Sequence, residues 1–212
     1  MHVAELWRYP VKSMRGEPLR EAEVREDGVA GDRLVHVLDE RGALVTGRTR
    51  PGLLGLHATL GPDGAALVDG VPWRSEEAAR AVETAAGPGA RLAGAAEDGL
   101  RFDETPLLVA TDGMARSFGI DRRRLRPNIV LGGVEGMSER DWEGRRLRVG
   151  DLVIGLDHLC ERCVMTTFDP DTLEQDPDVL RRINAELGGL AALNCSVERP
   201  GRIAVGDRAF LA

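Results

Sequence analysis

The most chemically distinctive residues of the chain are two cysteines three positions apart, Cys160 and Cys163, with Arg162 between them. Hydroxyl side chains and an Asp-Pro-Asp turn at residues 169–171 follow them. A thiolate is a soft metal ligand, and a neighbouring cation favours the thiolate over the thiol. The pattern therefore predicts a redox or metal site, and if Cys163 is partly exposed beside Arg162, we expect it to be anionic near neutral pH.

Lysine is almost missing from the chain, which has 27 arginines and a single lysine, Lys12. Arginine offers a planar fork of donors, whereas lysine offers a compact and mobile point charge. One interpretation is that Lys12 serves a site that needs this shape, and the other is chance survival in an arginine-rich sequence.

Length and composition limit the classes of protein to which the chain can belong. Its 212 residues can bury a core as one compact unit or as two small, closely packed units. A net charge of −7 argues against general binding to nucleic acids or anionic membranes. Three cysteines do not make a disulfide framework, so reduced thiols are expected. The sequence has neither an apolar run of roughly 20 residues nor a signal peptide, and we expect a cytoplasmic protein.

Short apolar runs between turn signals predict a mainly β fold. Strands are predicted over residues 3–11, 19–24, 34–38, 43–46, 56–60, 65–68, 107–110, 128–131, 152–156 and 203–211. Helices are predicted over residues 75–85, from 111 or 112 to 118, and 176–187, each with a capping residue at its start. Many short strands with few helices favour a β-barrel or sandwich with helical insertions.

Five blocks of the sequence fall in the order found in proteins of the MOSC family. The blocks are Tyr-Pro-Val-Lys-Ser at 9–13, Gly-Asp-Arg at 31–33, Arg-Pro-Asn-Ile-Val at 126–130, Cys-Glu-Arg-Cys at 160–163 with Thr-Thr-Phe-Asp-Pro-Asp-Thr at 166–172, and Pro-Gly-Arg-Ile-Ala-Val-Gly-Asp at 200–207. The chain thus resembles a MOSC N-terminal β-barrel domain, residues 1–95, closely packed against a MOSC domain, residues 96–212. The family includes the mitochondrial amidoxime-reducing component and the C-terminal domain of molybdenum cofactor sulfurase.

This resemblance implies a mixed, mainly β fold, with a β-barrel MOSC core, an N-terminal β-rich subdomain and a few short helices. It also implies a molybdenum cofactor (molybdopterin), with Cys163 as the protein ligand of the metal and Arg162 as a second catalytic residue. A pterin phosphate needs cations and hydroxyls, and pterin edges match amides and hydroxyls. The residues expected to bind the cofactor are Lys12, Ser13, Arg33, Thr46, Arg48, Asp112, Arg126, Asn128 and Thr166.

The activity implied by the resemblance is reduction of N-hydroxylated small molecules, such as amidoximes, hydroxylamines or N-hydroxylated bases, by transfer of an oxygen atom to molybdenum. The sequence contains no ferredoxin-like cysteine set and no haem or flavin motif. Electrons are therefore expected from a separate donor protein, a ferredoxin- or cytochrome-type reductase. No nucleic-acid or membrane partner is expected.

Several alternatives stay open at the level of sequence. Cys163 could carry a persulfide, or the protein could hold and deliver the cofactor, or it could be a small-molecule binding module that has lost its metal. The cysteine pair could instead form a mixed zinc site with His158, which is otherwise expected to be a partly buried strand residue, or a thioredoxin-like redox pair. Arg33 and Arg126 could be ion-paired surface residues, and Cys195 is expected in the core.

The chain departs from the family pattern at two places. Leu173 stands where many relatives have glycine, so the loop after residues 169–172 is expected to differ. Relatives often have serine after Thr-Asp-Ala, whereas residues 111–114 here read Thr-Asp-Gly-Met, which removes one candidate polar contact. The three arginines at 122–124 are expected to form a solvated turn.

Overall fold

The computed structural model describes residues 1–98 and 101–212, and most of its regular structure is in strands. In chain order the strands are β1 (His2–Arg8), β2 (Glu17–Leu19), β3 (Glu21–Arg25), β4 (Gly28–Val29), β5 (Val35–Leu38), β6 (Leu44–Val45), β7 (Ala58–Leu60), β8 (Ala66–Val68), β9 (Val71–Pro72), β10 (Arg91–Gly94), β11 (Leu107–Thr111), β12 (Ile129–Gly132), β13 (Arg146–Val149), β14 (Leu152–Glu161), β15 (Leu190–Arg199), β16 (Gly201–Ala204) and β17 (Ala209–Leu211). The α-helices are α1 (Glu76–Ala86), α2 (Ala95–Asp98), α3 (Asp112–Phe118) and α4 (Pro177–Leu187), and short 3-10 helices span Pro51–Gly55, Arg122–Leu125, Ser138–Asp141 and Val164–Thr167. The predicted mixed, mainly β class is confirmed.

The strands form one large sheet and three small ones. The large sheet has the order β17-β13-β14-β15-β11-β12-β1-β2 and is antiparallel except between β11 and β12. The small sheets have the orders β10-β5-β6, β16-β3-β4 and β7-β8-β9.

The predicted closed barrel is not what the described residues form. The outer strands β17 and β2 share no ladder, and a single bridge between His2 and Arg208 links β1 to the segment before β17. Strand β2 pairs with β1 only from Leu6 to Arg8, so the start of β1 contacts residues 206–209 instead, through backbone hydrogen bonds that do not extend into a ladder.

The core of the large sheet lies around β11 and β12, which are buried at every position. Their continuous apolar runs are typical of strands covered on both faces. One face of β11 packs into a cluster with Ile129 and Ile154, and the other packs against Met114 of α3 and Ile183 of α4. A separate apolar cluster around Val35, Leu53 and Val82 fills the N-terminal half.

The helix start signals in the sequence behave as predicted. The Ser75 hydroxyl accepts a hydrogen bond from the Ala78 amide at 3.1 Å, and the Thr111 hydroxyl accepts one from the Met114 amide at 3.0 Å. Helix α4 begins at Pro177 behind the capping residue Asp176, and ends before a glycine with φ of 66°.

The two halves of the chain are interleaved by strand pairing. Strand β1 lies in the large sheet beside β12, and β3 pairs with β16 near the C-terminal end of the chain. The division after residue 95 stays a prediction, and the cleft described below lies between segments from both sides of it.

The sequence did not predict β15, although this strand lies in the middle of the large sheet between β14 and β11. Its start, Leu-Ala-Ala-Leu-Asn, has weak intrinsic preference for strands, and pairing on both edges overrides it. Strand β14 was predicted over residues 152–156 but continues to Glu161, so it carries Cys160. No helix in the described part of the chain is both long and apolar enough to span a membrane.

Candidate active site

The two cysteines lie where the long strand β14 ends. Cys160 is within the strand, and Cys163 immediately precedes the 3-10 helix Val164–Thr167. Both are partly buried free thiols. The backbone carbonyl of Cys163 accepts hydrogen bonds from the Thr166 amide at 3.0 Å and from the Thr166 hydroxyl at 2.9 Å. Thr166 therefore fixes the turn that presents Cys163. Thr166 was predicted to bind the cofactor, but its hydroxyl is used in this turn and the residue does not line the cleft.

Each cysteine has its own arginine, and the pairing differs from the one predicted. Arg162 donates from Nη1 to the Cys160 sulfur at 3.1 Å and from Nη2 to the Leu125 carbonyl at 2.8 Å. The cation that faces Cys163 is instead Arg48, from the loop after β6, whose pKa is raised chiefly by a hydrogen bond with Cys163. The two contacts of Arg162 hold its guanidinium on Cys160 and Leu125 and not on Cys163, which the sequence spacing suggested.

Lys12, the one lysine, also lines the cleft. Its side chain is 8% exposed, and Nζ pairs with Asp103 Oδ1 at 2.7 Å. Arg48 binds the other oxygen of the same carboxylate, also at 2.7 Å. Burial raises the pKa of Asp103, but the hydrogen bond from Lys12 and the charges of Arg48 and Arg33 outweigh it and hold the pKa below its ordinary value. The Asp103 carboxylate thus lies at a place where two cations, Lys12 and Arg48, bind one anion.

Two guanidinium groups that line the cleft, those of Arg33 and Arg126, lie against one aromatic ring. The Tyr9 ring lies 4.4 Å from Arg126 and 5.5 Å from Arg33, measured from guanidinium carbon to ring centroid. Burial raises the pKa of Tyr9 to about 12 and lowers the pKa of Arg126 to about 10. Arg33 pairs with the fully buried Asp32, whose carboxylate also accepts the Tyr9 amide at 2.6 Å.

Arg126 differs from Arg33 because no carboxylate lies within ion-pair distance of it among the described residues. A guanidinium removed from water without a counterion is costly. Arg126 has φ of 58°, and Arg33 and Ser13 also have positive φ, of 49° and 68°. Non-glycine residues held in this region cost free energy and cluster at functional sites.

Two predicted pterin-edge residues also reach the cleft. The buried Asn128 accepts the Leu108 amide on Oδ1 at 3.2 Å, and its Nδ2 lies 3.4 Å from the Trp7 carbonyl. Thr46 accepts the Arg48 amide on its hydroxyl at 3.3 Å. All of the predicted site residues except Asp112 and Thr166 line this cleft, namely Lys12, Ser13, Arg33, Thr46, Arg48, Arg126, Asn128, Arg162 and Cys163.

Asp112 does not reach the cleft because it has a structural role. Its carboxylate pairs with Arg116 and accepts the amides of Gly133 and Val134 at 3.0 and 3.1 Å. These contacts join the start of α3 to the end of β12. Met114, at the position where relatives often have serine, is buried in the core beside α4.

Sequence reasoning missed residues 102–105, which cross the cleft and include Asp103, and it missed Asn194 on β15. The segment matches no motif, and Asn194 lies on a strand that was not predicted. Asn194 Nδ2 and His158 Nε2 both contact Glu104 Oε2, at 2.6 and 2.9 Å. His158 is half exposed, not partly buried as expected, because a strand irregularity just before it turns its side chain outward.

The remaining expectations concern residues outside the cleft. The described residues contain no group of three or more His, Cys, Asp or Glu side chains arranged to hold a metal, which the mixed zinc site would require. Cys195 lies in the core as expected, and burial raises the pKa of its thiol. The arginines at 122–124 form a 3-10 helix, in which Arg123 pairs with Asp121 and Asp171, and Arg124 pairs with Asp169.

Comparisons with known proteins agree on the family. The model of the MOSC N-terminal beta barrel domain matches residues 1–86, and the model of the MOSC domain matches residues 108–209. Mitochondrial amidoxime reducing component 2 of Macaca fascicularis is 26% identical over 278 residues, covering 98% of this chain and 82% of that protein. Mitochondrial amidoxime-reducing component 1 of Homo sapiens is 25% identical over 281 residues, covering 99% and 82%.

A solved structure supports the same fold. The YuaD protein from Bacillus subtilis superimposes with a TM-score of 0.55 at 14% sequence identity, covering 99% of this chain and 94% of that one.

Proposed function

The chain belongs to the MOSC family, and on that premise we propose that it is a molybdenum-cofactor-dependent oxidoreductase that reduces N-hydroxylated small molecules. The observation that carries the proposal is the convergence, in one cleft, of a free thiol and a set of cations that exceeds its carboxylate partners. Arg126 is the clearest member of that set, since it lies against the Tyr9 ring, partly buried, without a counterion among the described residues.

The residues of the cleft fit the proposed cofactor in their chemistry. Cys163 supplies a soft sulfur ligand for molybdenum. Lys12, Arg48 and Arg126 supply positive charge for an anionic group of the cofactor, and Ser13 and Thr46 supply hydroxyls. Arg48 has two available roles, because it contacts both Cys163 and the carboxylate of Asp103. The contact with Cys163 is the one that bears on metal binding.

In the proposed reaction the N–O bond of the substrate breaks, and two electrons and two protons yield the N–H compound and water. The bound cofactor supplies the two-electron oxygen-transfer chemistry. The protein would contribute the thiolate of Cys163, the fixed charges around it, and exclusion of bulk water by residues 102–105. Arg162, anchored on Leu125 and Cys160, keeps its buried Nε without a partner among the described residues, and we assign it to substrate positioning. The electrons would come from a separate donor protein of the ferredoxin- or cytochrome-reductase type.

The test is the molybdenum and pterin content of protein purified from a host that makes the cofactor. Wild-type protein should carry both, and Cys163→Ser should lose molybdenum by at least about tenfold, because even outer partners of metal ligands are worth that much. Cys160→Ser is the matched control, three residues away on the same strand end, and should keep its metal.

Two results would overturn the proposal. Wild-type protein free of both metal and pterin would contradict the proposal that the protein binds the cofactor. Cys163→Ser protein with undiminished metal would contradict the assignment of Cys163 as the metal ligand. A wild-type protein without metal whose Cys163 is about 32 Da heavier, as a persulfide is, would instead support the sulfur-carrier alternative.

A further inference from the structure

A second cavity, of about 220 Å³, lies directly behind the cleft. It shares two wall residues with the cleft, Met165 and Arg126. Met165 lies two residues after Cys163, in the 3-10 helix that begins there. The cavity and the cleft therefore adjoin at these two side chains. We call it the apolar cavity.

The walls of the apolar cavity suit a flat, apolar group. They include Trp7, Pro18, Leu54 and Phe168 together with Met165. The Trp7 indole nitrogen already donates to Glu5 at 2.9 Å, so its ring offers an apolar face and makes no polar demand. An apolar cavity of about 150 Å³ is enough to bind benzene, so this one has room for a substituted six-membered ring.

The rim of the apolar cavity is positively charged, and only part of that charge is neutralised. Four arginines and one aspartate line it. Arg123 is held by two carboxylates, and Arg124 by Asp169 and by the Thr167 carbonyl at 2.9 Å. These two arginines have little hydrogen-bonding capacity left for a ligand.

The other two arginines have unused donors. Arg15 donates from Nη2 to the Asp171 carbonyl at 3.2 Å, but its buried Nε has no partner among the described residues. The Arg126 guanidinium lies over the Tyr9 ring, and no carboxylate of the described residues pairs with it. The buried Arg15 Nε without an acceptor requires an explanation, and an anionic ligand beside Arg15 and Arg126 would accept charge-assisted hydrogen bonds from both guanidinium groups.

We propose that the apolar cavity binds the body of the N-hydroxylated substrate and prefers an aromatic ring that carries one carboxylate. The ring would pack between Trp7 and Phe168, and the carboxylate would lie at the rim beside Arg15. This inference rests on the proposed function for the identity of the reacting group. The binding preference itself rests on the cavity alone.

The test compares benzoate with its neutral analogue benzamide by calorimetric titration of the cofactor-free and the cofactor-loaded protein. One charge-assisted hydrogen bond is worth about tenfold in affinity, so benzoate should bind about ten times more tightly than benzamide. In Arg15→Gln the preference should fall to within about twofold. Arg25→Gln, at an exposed arginine that pairs with Glu23, should keep it.

A second variant guards against loss of folding in Arg15→Gln. Leu54→Trp fills the cavity from its wall and should abolish binding of both probes. Benzoate should also compete with an N-hydroxylated substrate in the loaded enzyme.

Three outcomes would overturn the inference. They are equal affinity for the two probes, a benzoate preference that survives in Arg15→Gln, and benzoate binding that disappears when the cofactor is loaded, which would assign the cavity to the cofactor. Failure of the proposed function has a different signature, since protein free of molybdenum would still show the benzoate preference.

Discussion

The large sheet and the cleft beside it follow opposite rules. In the sheet, residues such as Val109, Ile129 and Ile154 are fully buried, apolar and held in regular strands. In the cleft, Ser13, Arg33 and Arg126 have positive φ, and one of the two arginines lacks a counterion among the described residues. In the strands of the large sheet, Ala192 is the only described residue other than glycine with positive φ.

This difference indicates how the molecule divides stability from function. Burial of apolar surface is the main source of folding free energy, and the sheet concentrates it. Strained backbone and unpaired charge oppose folding, and they persist only where the surrounding structure enforces them. Removing a side chain should therefore have opposite effects on stability in the two regions.

The largest effect is expected in the sheet. Ile154 lies in β14 opposite Leu147 and is fully buried. Ile154→Ala should lower the free energy of unfolding by about 2–5 kcal/mol, through lost burial and the cavity left behind. Urea denaturation of the cofactor-free protein measures it. Val153→Ala, at the partly exposed neighbouring position, should cost about 1 kcal/mol or less, and equal losses at the two positions would contradict this account of the core.

The next effect has the opposite sign and lies in the cleft. Arg126→Met keeps an unbranched side chain similar to the arginine stem and removes a partly buried charge, so the cofactor-free protein should gain about 1–2 kcal/mol of stability at pH 7. Since burial lowers the pKa of Arg126 to about 10 from its ordinary 12.5, the folded state disfavours the charged form. The penalty is therefore fully present at pH 7 and diminishes as the pH rises above about 10.

Arg124→Met is the matched control for this substitution. Arg124 comes two residues earlier, but it pairs with Asp169 and donates to the Thr167 carbonyl. Its removal takes one charge-assisted donor from Asp169 and one donor from the Thr167 carbonyl, although both acceptors keep backbone amide donors, and it should destabilise the protein by about 1–3 kcal/mol. Comparison of the urea midpoints decides the matter. If Arg126→Met is destabilised as much as Arg124→Met, then Arg126 is an ordinary structural arginine and the contrast between sheet and cleft fails.

The sequence predicted those parts of the fold that depend on local signals. Helix caps at Ser75, Thr111 and Asp176 act within a few residues, and each was visible in the sequence. Strand β15 was not, because its position depends on pairing with two strands distant in the chain. The open edge of the large sheet is likewise a property of long-range pairing.

The candidate site shows the same division. The family blocks identified Lys12, Arg126 and Cys163, and the structure brings them to one cleft. They could not indicate that Arg48, rather than Arg162, faces Cys163, because that contact joins residues more than a hundred positions apart. Asp103 was missed for a related reason. It lies in a segment without a motif, and its place in the site is evident only from its contacts with Lys12 and Arg48, which are distant in the sequence.

The smallest effect tests whether backbone strain extends from the cleft into the loop that follows Cys163. Leu173, which replaces the glycine of many relatives, has φ of 61°. A side chain in this conformation costs roughly 1–2 kcal/mol, and glycine avoids the cost. Leu173→Gly and Leu173→Ala both remove the packing of the leucine side chain, but only glycine also relieves the strain. The glycine variant should therefore be more stable than the alanine variant by about 1 kcal/mol in urea denaturation.

The same pair of substitutions at exposed Val205, which does not have positive φ, should give the reverse order, because glycine costs more conformational entropy. An alanine variant as stable as the glycine variant at position 173 would place the strain in the cleft alone, where binding of an anion could offset it.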